Sequence, residues 1–295
     1  MADAVILERG YRHYEGPRLG RRGAVAAIVW DGVRRSLGLR RKARRKVFPW
    51  AVIAVTLGGA AIFLAIHYAA SVALGGGIDL NLPQNGEFFD FQGIIWLLFI
   101  ASAAPELLIP DRTEGVLSVY FSRPLRVGDY LLGKGAAIGL LTTGAYLLPQ
   151  LTLFFGLGAL SSEGFLRYVA DNADVLWKIG AVTIVFLALY ASLAMAASAG
   201  IPRRGFAAGA FLGGLLILNQ VAEVLARADF PLARYFAFLA FERHPRVVRD
   251  WIFEIRTVDY IPTAMGFEPW HSLAAVFAIV AACWAAIWLR YRKLA

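Results

Sequence analysis

Apolar residues in this chain gather into six long runs, separated by charged or turn-rich stretches. The runs are Trp50–Leu74, Phe91–Ile109, Gly135–Leu160, Ile179–Gly200, Gly205–Leu225 and Trp270–Leu289. Crossing a hydrocarbon core of about 30 Å takes about 20 mainly apolar residues in a helix, which is the scale of each run. Runs this long do not alternate as barrel strands would, so the expected fold is an all-α integral membrane protein with six transmembrane helices. The second run carries Glu106 and the fifth Glu223, while the other four contain no Lys, Arg, Asp or Glu. Pro149 should bend the third helix, because proline removes a backbone donor and crowds the preceding turn.

The stretches between the runs have patterns of their own. Ahead of the first run, Val25, Ile28, Val29, Val33 and Leu37 recur at helical spacing beside Arg21, Arg22, Arg34 and Arg35. That predicts an amphipathic helix lying in the membrane interface, its basic residues toward anionic headgroups. The segment 226–269 holds too many large apolar residues for a solvated loop, among them Phe230, Tyr235, Phe236, Trp251 and Phe253, and Pro231, Pro245, Pro262 and Pro269 divide it. One or two short, half-immersed external helices are expected there, and Tyr235–Phe241 is too short to cross. The chain therefore divides into a basic segment, 1–49, and a six-helix domain, 50–295.

Composition supports the membrane assignment. Hydrophobic residues make up 59% and charged residues 17%, against about half and a quarter in ordinary globular domains. The net charge of +9 is local, since residues 1–49 hold thirteen Lys/Arg against four acids. Basic flanks beside a bilayer explain that excess more simply than nucleic acid does. With the N-terminus inside, 22 of the 30 Lys/Arg fall on inner segments, so both termini are expected in the cytoplasm and the chain in the plasma membrane. The first apolar run begins far beyond an ordinary signal-peptide core, so no secretory signal is expected. The single Cys283 permits no intrachain disulfide and reads as a small packing residue.

Between the second and third runs lies a charged, turn-rich insert, residues 110–134. Val116, Leu117, Val119, Tyr120 and Phe121 are surrounded there by Asp111, Arg112, Glu114, Arg123, Arg126, Asp129 and Lys134. Pro124 disfavours helical geometry at Arg123, so a helix from about Asp111 should end there, with re-entry capped by Asp129. The result is a finger suited to docking into another protein, with a plain solvated loop as the alternative. Gly128 to Lys134 fits GxxxxGK, but Gly135 follows where a phosphate-binding loop needs Ser or Thr, and Tyr130, Leu131 and Leu132 open a membrane helix. No ATP site is expected in this chain.

The pattern PELLxxDRxxGxLxxxxSRPLxxxDYLLGK, beginning at Pro105, resembles the permease subunits of type-2 ATP-binding-cassette (ABC) exporters. The resemblance implies that the loop between spans two and three is a coupling helix seated on a separate ATPase chain. Matched residue by residue, it assigns the coupling region to Glu106, Asp111, Arg112, Gly115, Arg123, Pro124, Asp129, Tyr130, Gly133 and Lys134. Glu114 stands where an acidic or polar residue is often found. ATP and Mg would be bound and turned over on the partner ATPase, with no cofactor in this chain. A second permease subunit, identical or related, would complete a dimer that works by alternating access. Short external helices between the last two spans are also implied.

The remaining candidates are weaker. Glu106 and Glu223 lie near the ends of their runs, where Arg112 and Arg227 are possible partners, and a structural role fits each. Asn219 and Gln220 read as interhelical glue or lining of a pathway. Gly205, Gly209 and Gly213 form a small-residue face on the fifth span, suited either to packing within one protomer or to a subunit interface. His13, His67, His244 and His271 lack metal spacing, and no GxSxG, HExxH or CxxC occurs. Two other classes stay open: a membrane enzyme acting on lipid at the outer face, using His67, His244, His271 and the acids of 226–269, and a secondary transporter using Glu106 or Glu223.

Overall fold

The computed structural model describes residues 19–39, 46–73, 84–122, 125–255 and 259–294. Six helices in it are long and apolar enough to cross a membrane: α2 (Val47–Ala73), α3 (Asn85–Thr113), α5 (Val127–Leu160), α7 (Ala173–Gly200), α8 (Arg204–Ala226) and α11 (Pro269–Arg292). The described residues form an all-helical, multi-pass architecture, and each span extends beyond its apolar run. The extra turns carry polar residues such as Asn85, Asp129 and Lys134, which the protein interior accepts and a hydropathy boundary excludes. Shorter helices fill the connections: α1 (Gly20–Ser36), α4 (Leu117–Phe121), α6 (Phe165–Asp171), α9 (Arg243–Phe253) and α10 (Ile261–Ala264), with a 3₁₀ helix at Ala233–Leu239.

Helices α3, α5 and α7 form the inner layer and α2, α8 and α11 flank it, with α7 touching α3, α5, α8, α9 and α11. The core is aromatic. Phe89 and Trp96 of α3 pack against Tyr146 of α5, and Phe89 also meets Phe186 of α7 and Phe253 of α9, with centroids 4.9 to 6.0 Å apart. Such rings bury large areas and favour offset or edge contacts at these distances. A buried amide ladder joins the two prongs of the core. Asn85 donates to Gln150 Oε1 at 2.8 Å, and Gln150 donates to Gln92 Oε1 at 2.8 Å. Away from water, each of these groups needs such a partner.

Helix α1 departs from the expected interfacial placement. Its apolar stripe packs on α5 and α3, with Ile28 and Val33 buried and Val25, Val29 and Leu37 partly so. Two glycines permit the close approach. A Cβ at Gly32 would meet Ala137 Cβ at 2.7 Å, and one at Gly133 would meet Ile28 Cγ2 at 2.7 Å. Arg21 and Arg35 turn inward to carboxylates, so of the four flanking arginines Arg22 and Arg34 face outward. A stripe that looks membrane-seeking in sequence is spent on the protein itself.

Helix α9 likewise packs inward against α7 and α11, burying His244, Val247, Val248 and Arg249, rather than floating half-immersed.

Candidate functional site

The finger starts where α3 ends. Gly115 adopts φ +70°, and the Val116 N–H donates to the Asp111 carbonyl at 3.0 Å, closing a left-handed C-terminal turn. Glycine takes this conformation without the Cβ clash other residues pay. The helix expected from Asp111 is therefore two pieces: α3 runs to Thr113, and the short α4 follows the turn. Arg123 and Pro124 lie outside the described residues. Asp129 proves to be the third residue of α5 rather than its cap, and its Oδ2 accepts the Arg126 N–H at 2.9 Å.

Most of the finger's apolar side chains are used internally. Leu117 and Leu125 are buried, and Tyr120 and Phe121 pack on Tyr130 of α5 at 5.5 and 6.1 Å. Val119, 57% exposed, and Glu114 face outward. The outward surface is thus narrower than the sequence implies.

Beneath the finger lies a buried charge network. Asp111, 1% exposed, accepts from Arg35 Nη1 at 2.7 Å and Tyr130 OH at 3.1 Å, and pairs with Lys134 Nζ at 2.6 Å. Lys134 is fully buried, its ammonium 5.5 Å from the Tyr130 ring, and so does not snorkel. One carboxylate thus links α1, α3 and α5 at the root of the finger. Burial opposes the charge on Arg35, but Asp111 and then Asp31 outweigh it and hold the guanidinium above its ordinary value. Arg21 adds a second tie, donating to both oxygens of Asp129 at 2.8 and 2.6 Å. Asp111, Tyr130, Gly133 and Lys134, matched to the coupling region by resemblance, are interior groups that position the finger rather than present its surface.

Glu106 and Arg112 do not pair with each other. Arg204, at the start of α8, binds Glu106, whereas Arg112 donates to the carbonyls of Ala199 and Ile201, the latter at 2.7 Å. These carbonyls at the α7 C-terminus lack helical partners, so a cation suits them. Together the two side chains fasten α3 to the α7–α8 junction. Glu223 pairs with Arg227 at 3.0 Å, as its spacing suggests. Asn219 is buried and donates to Glu242 Oε2 at 2.5 Å, joining α8 to the segment before α9, while Gln220 beside it is exposed. The glycine face is open: a Cβ at Gly205, Gly209 or Gly213 would meet nothing within 4 Å. Packing of that face within one protomer is therefore corrected by the structure.

A second ionic cluster at the opposite end was not legible in the sequence. Arg249, 1% exposed, binds Asp90 at 2.6 Å and Asp250 at 2.5 Å, and Arg246 binds Glu242 at 2.5 Å. Asp90 falls one residue outside its apolar run and the arginines sit in a long external segment, so pattern alone did not join them. Burial raises the Asp250 carboxyl despite Arg249. His244 is buried between Ser272 Oγ and the Phe238 carbonyl, each at 3.1 Å, and burial lowers its pKa. Among the described residues no three His, Cys, Asp or Glu side chains are grouped to hold a metal.

Compared with family models and with curated proteins, the chain matches none.

Proposed function

We propose that this chain is the membrane-spanning permease subunit of an ABC exporter, coupled through the α3–α5 finger to a separate ATPase subunit that binds ATP and Mg. The observation that carries the reading is the finger itself. It sits between the second and third of six apolar helices, displays Val119 and Glu114, and is rooted in the Asp111 network. A push on α4 would reach α1, α3 and α5 together through that network, because the groups are buried and paired rather than free to relax in water. Such a linkage suits transmission of a partner's closing motion into the bundle. The open glycine face of α8 suits contact with a second permease subunit, since small residues let helices approach closely. In this reading both termini and the finger are cytoplasmic, in accord with the distribution of Lys and Arg.

The test is co-purification of the ATPase with Glu114→Lys. Glu114 is exposed, so insertion and expression should be normal while the complex weakens, because like-charge juxtaposition at an interface costs several-fold to many-fold in affinity. Unchanged complex formation and ATP turnover would remove the finger as docking element.

A further inference from the structure

A cavity of about 440 Å³ opens among α1, α2, α3 and α8 at the finger end of the bundle. Arg35, Ser36, Phe48, Ser102, Glu106 and Arg204 line it. Its chemistry is two-sided, with guanidinium, hydroxyl and carboxylate groups facing the phenyl ring of Phe48. Ser36 Oγ is buried there with no hydrogen-bond partner among the described residues. Arg204 is the first residue of α8, whose N-terminus has no side-chain cap and no acid in its first turn. The free N–H groups of such a turn attract anions, and Gly205, which also lines the cavity, leaves its own amide unscreened by a side chain. Arg204 binds Glu106 through Nη1, and a guanidinium carries four further N–H donors.

The cavity continues into an apolar trough. Ser102 and Glu106 share a helical face with Leu98 and Ile94, which are 47% and 64% exposed. At 1.5 Å per residue the strip from Ser102 to Ile94 runs about 12 Å along α3. Helices α2 and α8 both pack on α3, and both line the cavity at its end. Phe48 and Arg204 stand at the first turns of two apolar helices, which is the depth where headgroups meet hydrocarbon. A free anion would use the polar pocket and ignore the strip, whereas an acyl chain would use the strip alone.

We infer that this cavity and trough together bind a membrane amphiphile with a phosphate-ester headgroup, the phosphate on Arg204 and the α8 N-terminus and the tail along Leu98 and Ile94. The site is independent of the proposed ATPase partner, because binding is measured on this chain alone.

The experiment is native mass spectrometry of the full chain in detergent, titrated with palmitoyl-oleoyl phosphatidylglycerol. Diacylglycerol with the same tails and glycerol 3-phosphate serve as the two half-ligands. The phospholipid should bind, and neither half-ligand should compete at equal concentration. Arg204→Ala should weaken phospholipid binding roughly tenfold, the scale of one charge-assisted contact, while Arg227→Ala at the far end of the same helix should not. Leu98→Trp leaves the polar pocket intact and should weaken binding by filling the trough, which keeps the test valid if Arg204→Ala misfolds. Diacylglycerol binding as tightly as phospholipid would leave no headgroup site. Displacement by equimolar glycerol 3-phosphate would reduce the pocket to an adventitious ion only. Phospholipid bound to monomers and excluded from dimers would mean that a second copy fills the trough. Each of these three results, or full binding by both variants, overturns the assignment.

Discussion

Replacing Asp111 by Asn probes the root of the finger most sharply. The carboxylate serves two cations, Arg35 at 2.7 Å and Lys134 at 2.6 Å, and accepts a bond from Tyr130 at 3.1 Å. Arg35 keeps Asp31 at 2.6 Å when Asp111 is lost, but no other carboxylate is recorded on Lys134, which is fully buried. Removing one partner of a buried pair and stranding the other charge costs about 3–5 kcal/mol. For a chain of this size that corresponds to a fall in apparent melting temperature on the order of 10 °C. Lys134→Met should cost less, about 2 kcal/mol, because Asp111 keeps Arg35 and Tyr130. The double variant should be more stable than Asp111→Asn alone, since it no longer buries an unpaired ammonium. Heating the detergent-solubilised variants and following the folded fraction by size-exclusion chromatography gives all three values. Additive losses, or Lys134→Met as damaging as Asp111→Asn, would refute the shared-carboxylate argument.

Other consequences follow from single contacts. Gly133→Leu should lift α1 from α5 at a cost of roughly 1–3 kcal/mol, read as faster proteolysis near α1, because a Cβ alone already reaches 2.7 Å from Ile28. Gly209→Leu, in open space, should leave the monomer's melting point unchanged and lower the dimer fraction in detergent. His244 is held below its ordinary value of 6.5 by burial, so the unfolded chain takes up a proton that the folded chain refuses as pH falls below about 6.5. Thermal stability should therefore be level above that pH and decline below it, by at most about 1.4 kcal/mol per unit, and His244→Gln should flatten the decline. Orientation is checked in a Cys283→Ala background. Cysteine at Ser118 or Leu294 should be shielded from an impermeant external reagent, and cysteine at Ser162 should react; labelling at Ser118 would invert the topology.

The six spans were legible because a run of about 20 apolar residues has few other uses. Their ends were not, since Asn85, Asp129 and Lys134 are polar yet enter helices whose neighbours satisfy them. The Gly115 turn and the Glu223–Arg227 pair could be read from local spacing. The links from Arg35 to Asp111, Arg204 to Glu106 and Arg249 to Asp90 could not, because they span distant segments and depend on which helices lie side by side. For the same reason the stripe on α1 looked suited to a bilayer when its true neighbour is α5. The resemblance drew attention to Asp111, Tyr130, Gly133 and Lys134, and the structure gives each a concrete packing or ion-pair role.

Docking of the finger is tested most directly by a photo-reactive amino acid at Val119, co-expressed with the ATPase subunit. Val119 projects from α4 with 57% of its surface free, so it should yield an adduct with the ATPase, while the same group at Ile184, exposed on the middle of α7, should not. Adducts to the ATPase from Ile184 and none from Val119 would contradict the coupling role of the finger.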